Sequence, residues 1–152
     1  MSSGRIPVPP FLALMLFAGP LAAQNSAPYD DLAALVGLRL DALVERFGLP
    51  GSVEVARGDE PWQDDVVSVY PHGDFFLHRD RVWQIGLKAA PGMKVGDPEA
   101  VAFLVFGADS ERHEGLLILP LRPPMTSGWP VALRVNLVGG RIAAIHVYRT
   151  DF

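Results

Sequence analysis

One pattern occurs twice in this chain. Val36-Gly37 followed by Phe47-Gly48 recurs as Val95-Gly96 followed by Phe106-Gly107, an offset of 59 with the spacing inside each pair preserved. Further along, Phe75 to Leu87 lies over Val135 to Val147 at an offset of 60. A period of this size implies two supersecondary units that share or abut one sheet, because a single such unit cannot bury its apolar face alone. The units are expected over residues 36–90 and 95–152, within one domain spanning 36–152.

Local patterning supplies the contents of each unit. Leu40, Leu43, Val44 and Phe47 fall at i, i+3, i+4 and i+7, the stripe of an amphipathic helix of about ten residues. Gly48 and Pro50 stop that helix, one by tolerating a left-handed conformation and the other by lacking an amide donor. In the second unit Asp97-Pro98-Glu99 predicts a helix start, with Asp97 as the N-cap and Pro98 at the first helical position. The stretch that follows, Ala100 to Phe106, is apolar all round.

After each helix come strands. Val66–Tyr70, Asp74–His78 and Val82–Leu87 are separated by short hairpin loops, with Val53–Arg57 as a shorter first strand. Leu116–Leu121, Val131–Leu137 and Ile142–Arg149 play the same parts in the second unit, with Gly139-Gly140 as a two-residue turn. Links this short make neighbouring strands antiparallel. The expected class is therefore α+β, two tandem α-β-β-β units whose sheet carries its helices on one face.

Alternation then sorts side chains by face. Trp83, Ile85 and Leu87, aligned with Ala143, Ile145 and Val147, are expected to face the helices, as are Phe75, Leu77, Val135 and Leu137. The opposite face would carry Ser68, Tyr70, Phe76, His78 and Gln84 from the first unit and Arg134, Asn136, His146 and Tyr148 from the second. Aromatic rings beside Arg on an open surface are what protein–protein contacts enrich. The expected binding residues are Tyr70, Phe76, His78, Gln84, Arg134, Asn136, His146 and Tyr148.

A helix ending in Phe-Gly, as at Phe47-Gly48-Leu49-Pro50 and Phe106-Gly107, followed by an antiparallel meander and written twice, resembles the beta-lactamase-inhibitor-protein-like fold. Its relatives include small outer-membrane lipoproteins of the SmpA/OmlA type. The resemblance covers Val36–Pro50, Val95–Gly107 and the strands after each. It implies a non-catalytic module that recognises a partner across its sheet. The chain departs from those relatives in having no lipid-attachment Cys, and Gly107 lacks the Pro that follows Gly48 by two.

The address is written at the start of the chain. Met1–Pro10 carry one charge, Arg5, and Phe11–Ala18 form an apolar run closed by Gly19-Pro20-Leu21-Ala22-Ala23, the layout of a secretory signal peptide cleaved near Ala23. The run is far shorter than the roughly 20 residues that span a bilayer. Residues 1–23 are thus read as the signal, 24–35 as a lead-in segment, and the mature chain as periplasmic or secreted without a transmembrane segment. Loss of Arg5 leaves 12 basic against 17 acidic residues, a balance that argues against nucleic acid as a partner. With no Cys in the chain, thiol catalysis, thiolate metal sites and disulfides are excluded.

Catalytic motifs are absent from the sequence. It contains no Gly-x-Ser-x-Gly elbow, phosphate-binding glycine loop, His-Glu-x-x-His pair or dinucleotide fingerprint, and so implies no cofactor. His72, Asp74 and His78 make the best metal candidate, but residues four apart on a strand lie about 13 Å apart, so no metal site is expected. Asp59-Glu60 and Asp64-Asp65 bracket Pro61-Trp62 in an acidic loop that reads as a solvated turn. The functional expectation is an exported binding module, not an enzyme, whose partner is an exported or envelope protein. A cell-envelope assembly accessory and, behind it, a small exported enzyme are the alternatives.

Overall fold

Two tight turns show how the strands are brought into register. Arg79 and Asp80 adopt φ of 48° and 68°, and Gly139 and Gly140 adopt 58° and 74°. Two consecutive positive φ angles make the hairpin turn whose twist matches that of the flanking strands. His78 is thereby set opposite Arg81, and Val138 opposite Arg141. The computed structural model describes residues 27–59, 64–107, 110–121 and 128–152. The signal expected at 1–23, Trp62 of the acidic loop and most of the 122–129 segment lie outside the described residues.

The chain runs α1 (Ala27–Ala33), α2 (Leu40–Phe47), β1 (Ser52–Ala56), β2 (Asp65–Tyr70), β3 (Gly73–His78) and β4 (Arg81–Leu87). A small hairpin, β5 (Ala89–Ala90) and β6 (Met93–Lys94), leads to α3 (Glu99–Phe106), β7 (Glu111–His113), β8 (Leu116–Leu121), β9 (Val131–Val138) and β10 (Arg141–Arg149). Eight strands form one antiparallel sheet in the order β1-β2-β3-β4-β10-β9-β8-β7. The two hairpin series meet where β4 pairs with β10, from Leu87 opposite Ile145 to Gln84 opposite Tyr148.

The same set of hydrogen bonds closes each series. Gly37 N–H donates to Val82 O and Val82 N–H to Leu38 O, while Gly96 N–H donates to Ile142 O and Ile142 N–H to Asp97 O. Arg81 and Arg141 each donate from Nη1 to the carbonyl of Gly37 or Gly96, at 3.1 and 2.9 Å. Each pair of positions is separated by 59 or 60 residues.

The class differs from the expected α+β arrangement with helices packed on one face. The fold is mainly β, since the three described helices are only seven, eight and eight residues long against ten strands. About two turns of helix present one or two side chains to a core and cannot form a layer of their own. Accordingly α2 buries Leu43 and α3 buries Ala102 and Phe106, while Leu104 of the all-apolar α3 stands 82% exposed. Asp97 does not cap α3 either. Its carboxylate accepts from Lys94 N–H at 3.0 Å, Pro98 takes the cap position, and Glu99 N–H donates to Gly140 O. The lead-in segment contributes α1, whose Tyr29 is buried and donates its hydroxyl to Pro91 O at 2.6 Å.

Phe75, Ile85, Val147 and Leu133 sit opposite one another across four strands and are all fully buried. They form the centre of a core that runs without interruption through both series.

Candidate functional site

The face of the sheet turned away from that core carries most of the residues expected to bind a partner. Strand pairing sets Phe76 opposite Gln84, Gln84 opposite Tyr148 and Tyr148 opposite Ala132. A parallel row runs from Asp74 through Gly86, His146 and Arg134 to Ile118, with Asn136 one step further along β9. His78 lies at the other end of β3, past Phe76. Seven of the eight expected residues are thus assembled on one surface, and all seven are half-buried.

Tyr70 is the exception. It pairs with Gly73 across the Pro71-His72 turn, which puts Ser68 opposite Phe75 and sends both Ser68 and Tyr70 to the core face. Tyr70 is 3% exposed, donates its hydroxyl to Gly48 O at 3.0 Å, and meets Phe75 edge-on at 5.5 Å. In a two-residue hairpin, side chains that share a face are an odd number of positions apart, so Tyr70 cannot share a face with Phe76. His72 lies beside Phe47 at 4.8 Å between centroids, tilted by 48°, and edge-on to the core ring of Phe75. Among the described residues no three metal-ligating side chains come together.

Trp83 moves in the opposite direction. Phe76 is paired with Gln84 but Leu77 with Val82, leaving Trp83 as the extra residue of a β-bulge. The bulge turns the indole onto the solvent face, where Nε1–H donates to Asp65 Oδ2 at 2.9 Å. Ala143 is the extra residue of the equivalent bulge between β9 and β10. The sequence carried a sign of this: apolar residues at 82, 85 and 87, and again at 142, 145 and 147, contain one three-residue step inside an otherwise two-residue rhythm.

Two features define the chemistry of this surface. At its centre Arg134 lies over the ring of Tyr148 at 4.9 Å, and Arg134 Nε, Asn136 Oδ1 and His146 Nδ1 are buried with no hydrogen-bond partner among the described residues. Burial, and then the neighbouring Arg134 charge, hold the His146 imidazole below its ordinary pKa, so it is neutral at pH 7. A hollow of about 190 Å³ opens beside it, lined by Asp74, Lys88 and Ala144 among others. Toward the corner, a groove of about 640 Å³ is lined by Arg57, Gly58, Asp59, Asp65, His78, Trp83 and Phe152. Asp65 faces His78 Nδ1 at 3.5 Å, and Arg57 is paired with Asp64. Of the groove residues only His78 belongs to the expected set.

No family model matches the chain, and no curated protein matches it. Among the described residues no helix is long and apolar enough to cross a membrane. Among solved structures the chain is similar to an extracellular protein containing a SCP domain from Bacillus anthracis str. Ames, at 9% identity and a TM-score of 0.46, over 77% of this chain and 45% of that one.

Proposed function

We propose that the chain is an exported, non-catalytic binding module that recognises a protein partner through the solvent face of its sheet. What carries this reading is the centre of that face, where Arg134, Asn136 and His146 each hold a buried polar atom with no partner among the described residues, beside the ring of Tyr148. A buried polar atom left unpaired costs about 1–3 kcal/mol, and a surface that supplies its complement recovers that cost on binding. The aromatic rings around it add area that is rigid and already partly desolvated. Export follows from the charged start, apolar run and small-residue end of residues 1–23.

The test is capture from envelope extract by the immobilised chain beginning at Gln24. A protein retained by the native surface and lost on Tyr148→Ala and Arg134→Ala, both with native melting temperatures, supports the reading. Tyr70→Ala serves as the contrast, because it unhooks a core ring and lowers the melting temperature. Capture unaffected by the Tyr148 and Arg134 changes, or two variants that melt early, defeats the binding-face assignment.

A further inference from the structure

At the corner of the solvent face the side chains form a box with an aromatic floor. The Trp83 indole is held in place by its hydrogen bond to Asp65, a carboxylate only 8% exposed whose second oxygen faces His78. Phe76 meets the indole edge-on at 6.5 Å. On the face of the indole lies the ring of Phe152, stacked at 4.6 Å between centroids and tilted by 13°, with His78 edge-on to that ring at 5.2 Å. Phe152 reaches this position from the short segment after β10. It remains 58% exposed, so the contact is one-sided.

The contents and the rim of the groove both say what fits. It already accommodates a benzyl ring, stacked on an indole whose orientation a buried carboxylate fixes. The Phe152 ring is held there by the Trp83 face, the His78 edge and the Arg149 guanidinium, with more than half of its surface still in water. The rim is acidic on balance: Asp59 and Asp65 line it beside Arg57, which is taken up by Asp64, and the Arg149 guanidinium, 5.7 Å from the centre of the Phe152 ring, is taken up by Asp151. A cation arriving beside an aromatic side chain would therefore meet a favourable field.

We propose that this groove is the anchor site for an aromatic side chain of a protein partner, carried next to a Lys or Arg, and that Phe152 occupies the site until the partner displaces it. The proposal rests on the binding-module reading for the existence of a partner and adds the chemistry that the partner must present.

The Trp83 indole N–H is the reporter, observed by NMR in the whole mature chain and assigned with Trp83→Phe. Titration with the blocked dipeptide Ac-Lys-Phe-NH2 should move this resonance saturably, and Ac-Lys-Leu-NH2 and Ac-Glu-Phe-NH2 should bind more weakly. Phe152→Ala should tighten Ac-Lys-Phe-NH2 by roughly threefold, as removal of a competitor that fills the site two-thirds of the time would do. Phe152→Leu, which keeps apolar cover without an aromatic stack, should fall between. A ring that serves only to stabilise the fold predicts the reverse: Phe152→Ala would lower the melting temperature and gain no affinity.

The proposal is overturned if Phe152→Ala binds none of the dipeptides, if it binds Ac-Lys-Phe-NH2 less well than the native chain, or if chitotriose alone shifts the indole signal, which would mark a sugar platform. Dipeptides that fail while Tyr148→Ala still abolishes capture of an envelope protein remove the groove proposal and leave the binding face standing. Dipeptides that bind while capture is insensitive to Tyr148 and Arg134 support the groove and remove the face.

Discussion

Arg79 and Asp80 hold a backbone conformation that the other half of the sheet assigns to Gly139 and Gly140. A left-handed conformation costs an L-residue about 1–2 kcal/mol, whereas glycine loses about 0.5–1 kcal/mol through its freer unfolded state. Arg79→Gly should therefore raise stability by about 0.5 kcal/mol, read as a higher urea midpoint at unchanged slope. Asp80→Gly should gain less, because Asp80 also pairs with Arg39 at 3.1 Å. His146 supplies a pH dependence. Its folded pKa is depressed by burial and by Arg134, so below the unfolded value near 6.5 the unfolded chain binds the proton more readily than the folded one. Stability from this group is complete above that value and is lost as pH falls through it toward the folded pKa. Melting temperature should decline from pH 7.5 to 5.5 in the native chain and decline less in His146→Gln. Equal slopes in the two proteins would mean that His146 does not titrate as its burial implies.

At the scale of elements, strand positions were legible and strand faces only partly so. Alternation placed β2, β3, β4, β8, β9 and β10 to within a residue, because each is bounded by turn residues and one side of each is buried. The sequence reading of the faces differs from the structure at three places where a single residue shifts the parity. At Tyr70 the two-residue turn makes the offset across the hairpin odd, and at Trp83 and Ala143 a bulge inserts a residue into the rhythm, so that both leave the core face. The helices were visible as periodicity at Leu40–Phe47 and as a break before Glu99, but periodicity is silent on how much of a fold two turns of helix make up. Contacts between distant elements were not legible at all. Gly37 and Gly96 show this, since they hold equivalent places at φ of 91° and 95°, yet a Cβ on Gly37 would run into the Trp129 ring while one on Gly96 meets nothing within 4 Å. Gly96→Ala should cost about 1–2 kcal/mol from backbone strain alone. Gly37→Ala should cost roughly 2–5 kcal/mol, the added part coming from displacement of Trp129. Similar losses in the two variants would show that the ring moves aside freely.

Across the whole molecule the halves are joined by the β4–β10 pairing and by a shared core. Ile85 and Leu87 of the first half lie against Val147 and Ile145 of the second, and all four are buried. Either half alone would expose that seam as a long apolar edge, with the unpaired amides of a central strand beside it. The outer strands stand in a different position. All but the last residue of β1 and every residue of β7 are exposed, and among the described residues each of these strands pairs on one side only. Local opening should follow this gradient, since exposed backbone hydrogen bonds with few buried contacts open at low free energy. Amide hydrogen exchange should proceed first in Ser52–Ala56 and Glu111–His113. It should be slowest around Ile85, Ile145, Val147 and Leu133, which exchange only through global unfolding. Because the core runs through both halves, urea unfolding should give one transition, coincident by far-UV circular dichroism and tryptophan fluorescence. Two separated transitions, or protection in the first half that is lost well before that in the second, would show that the seam is weaker than its burial implies and that the halves fold as separate units.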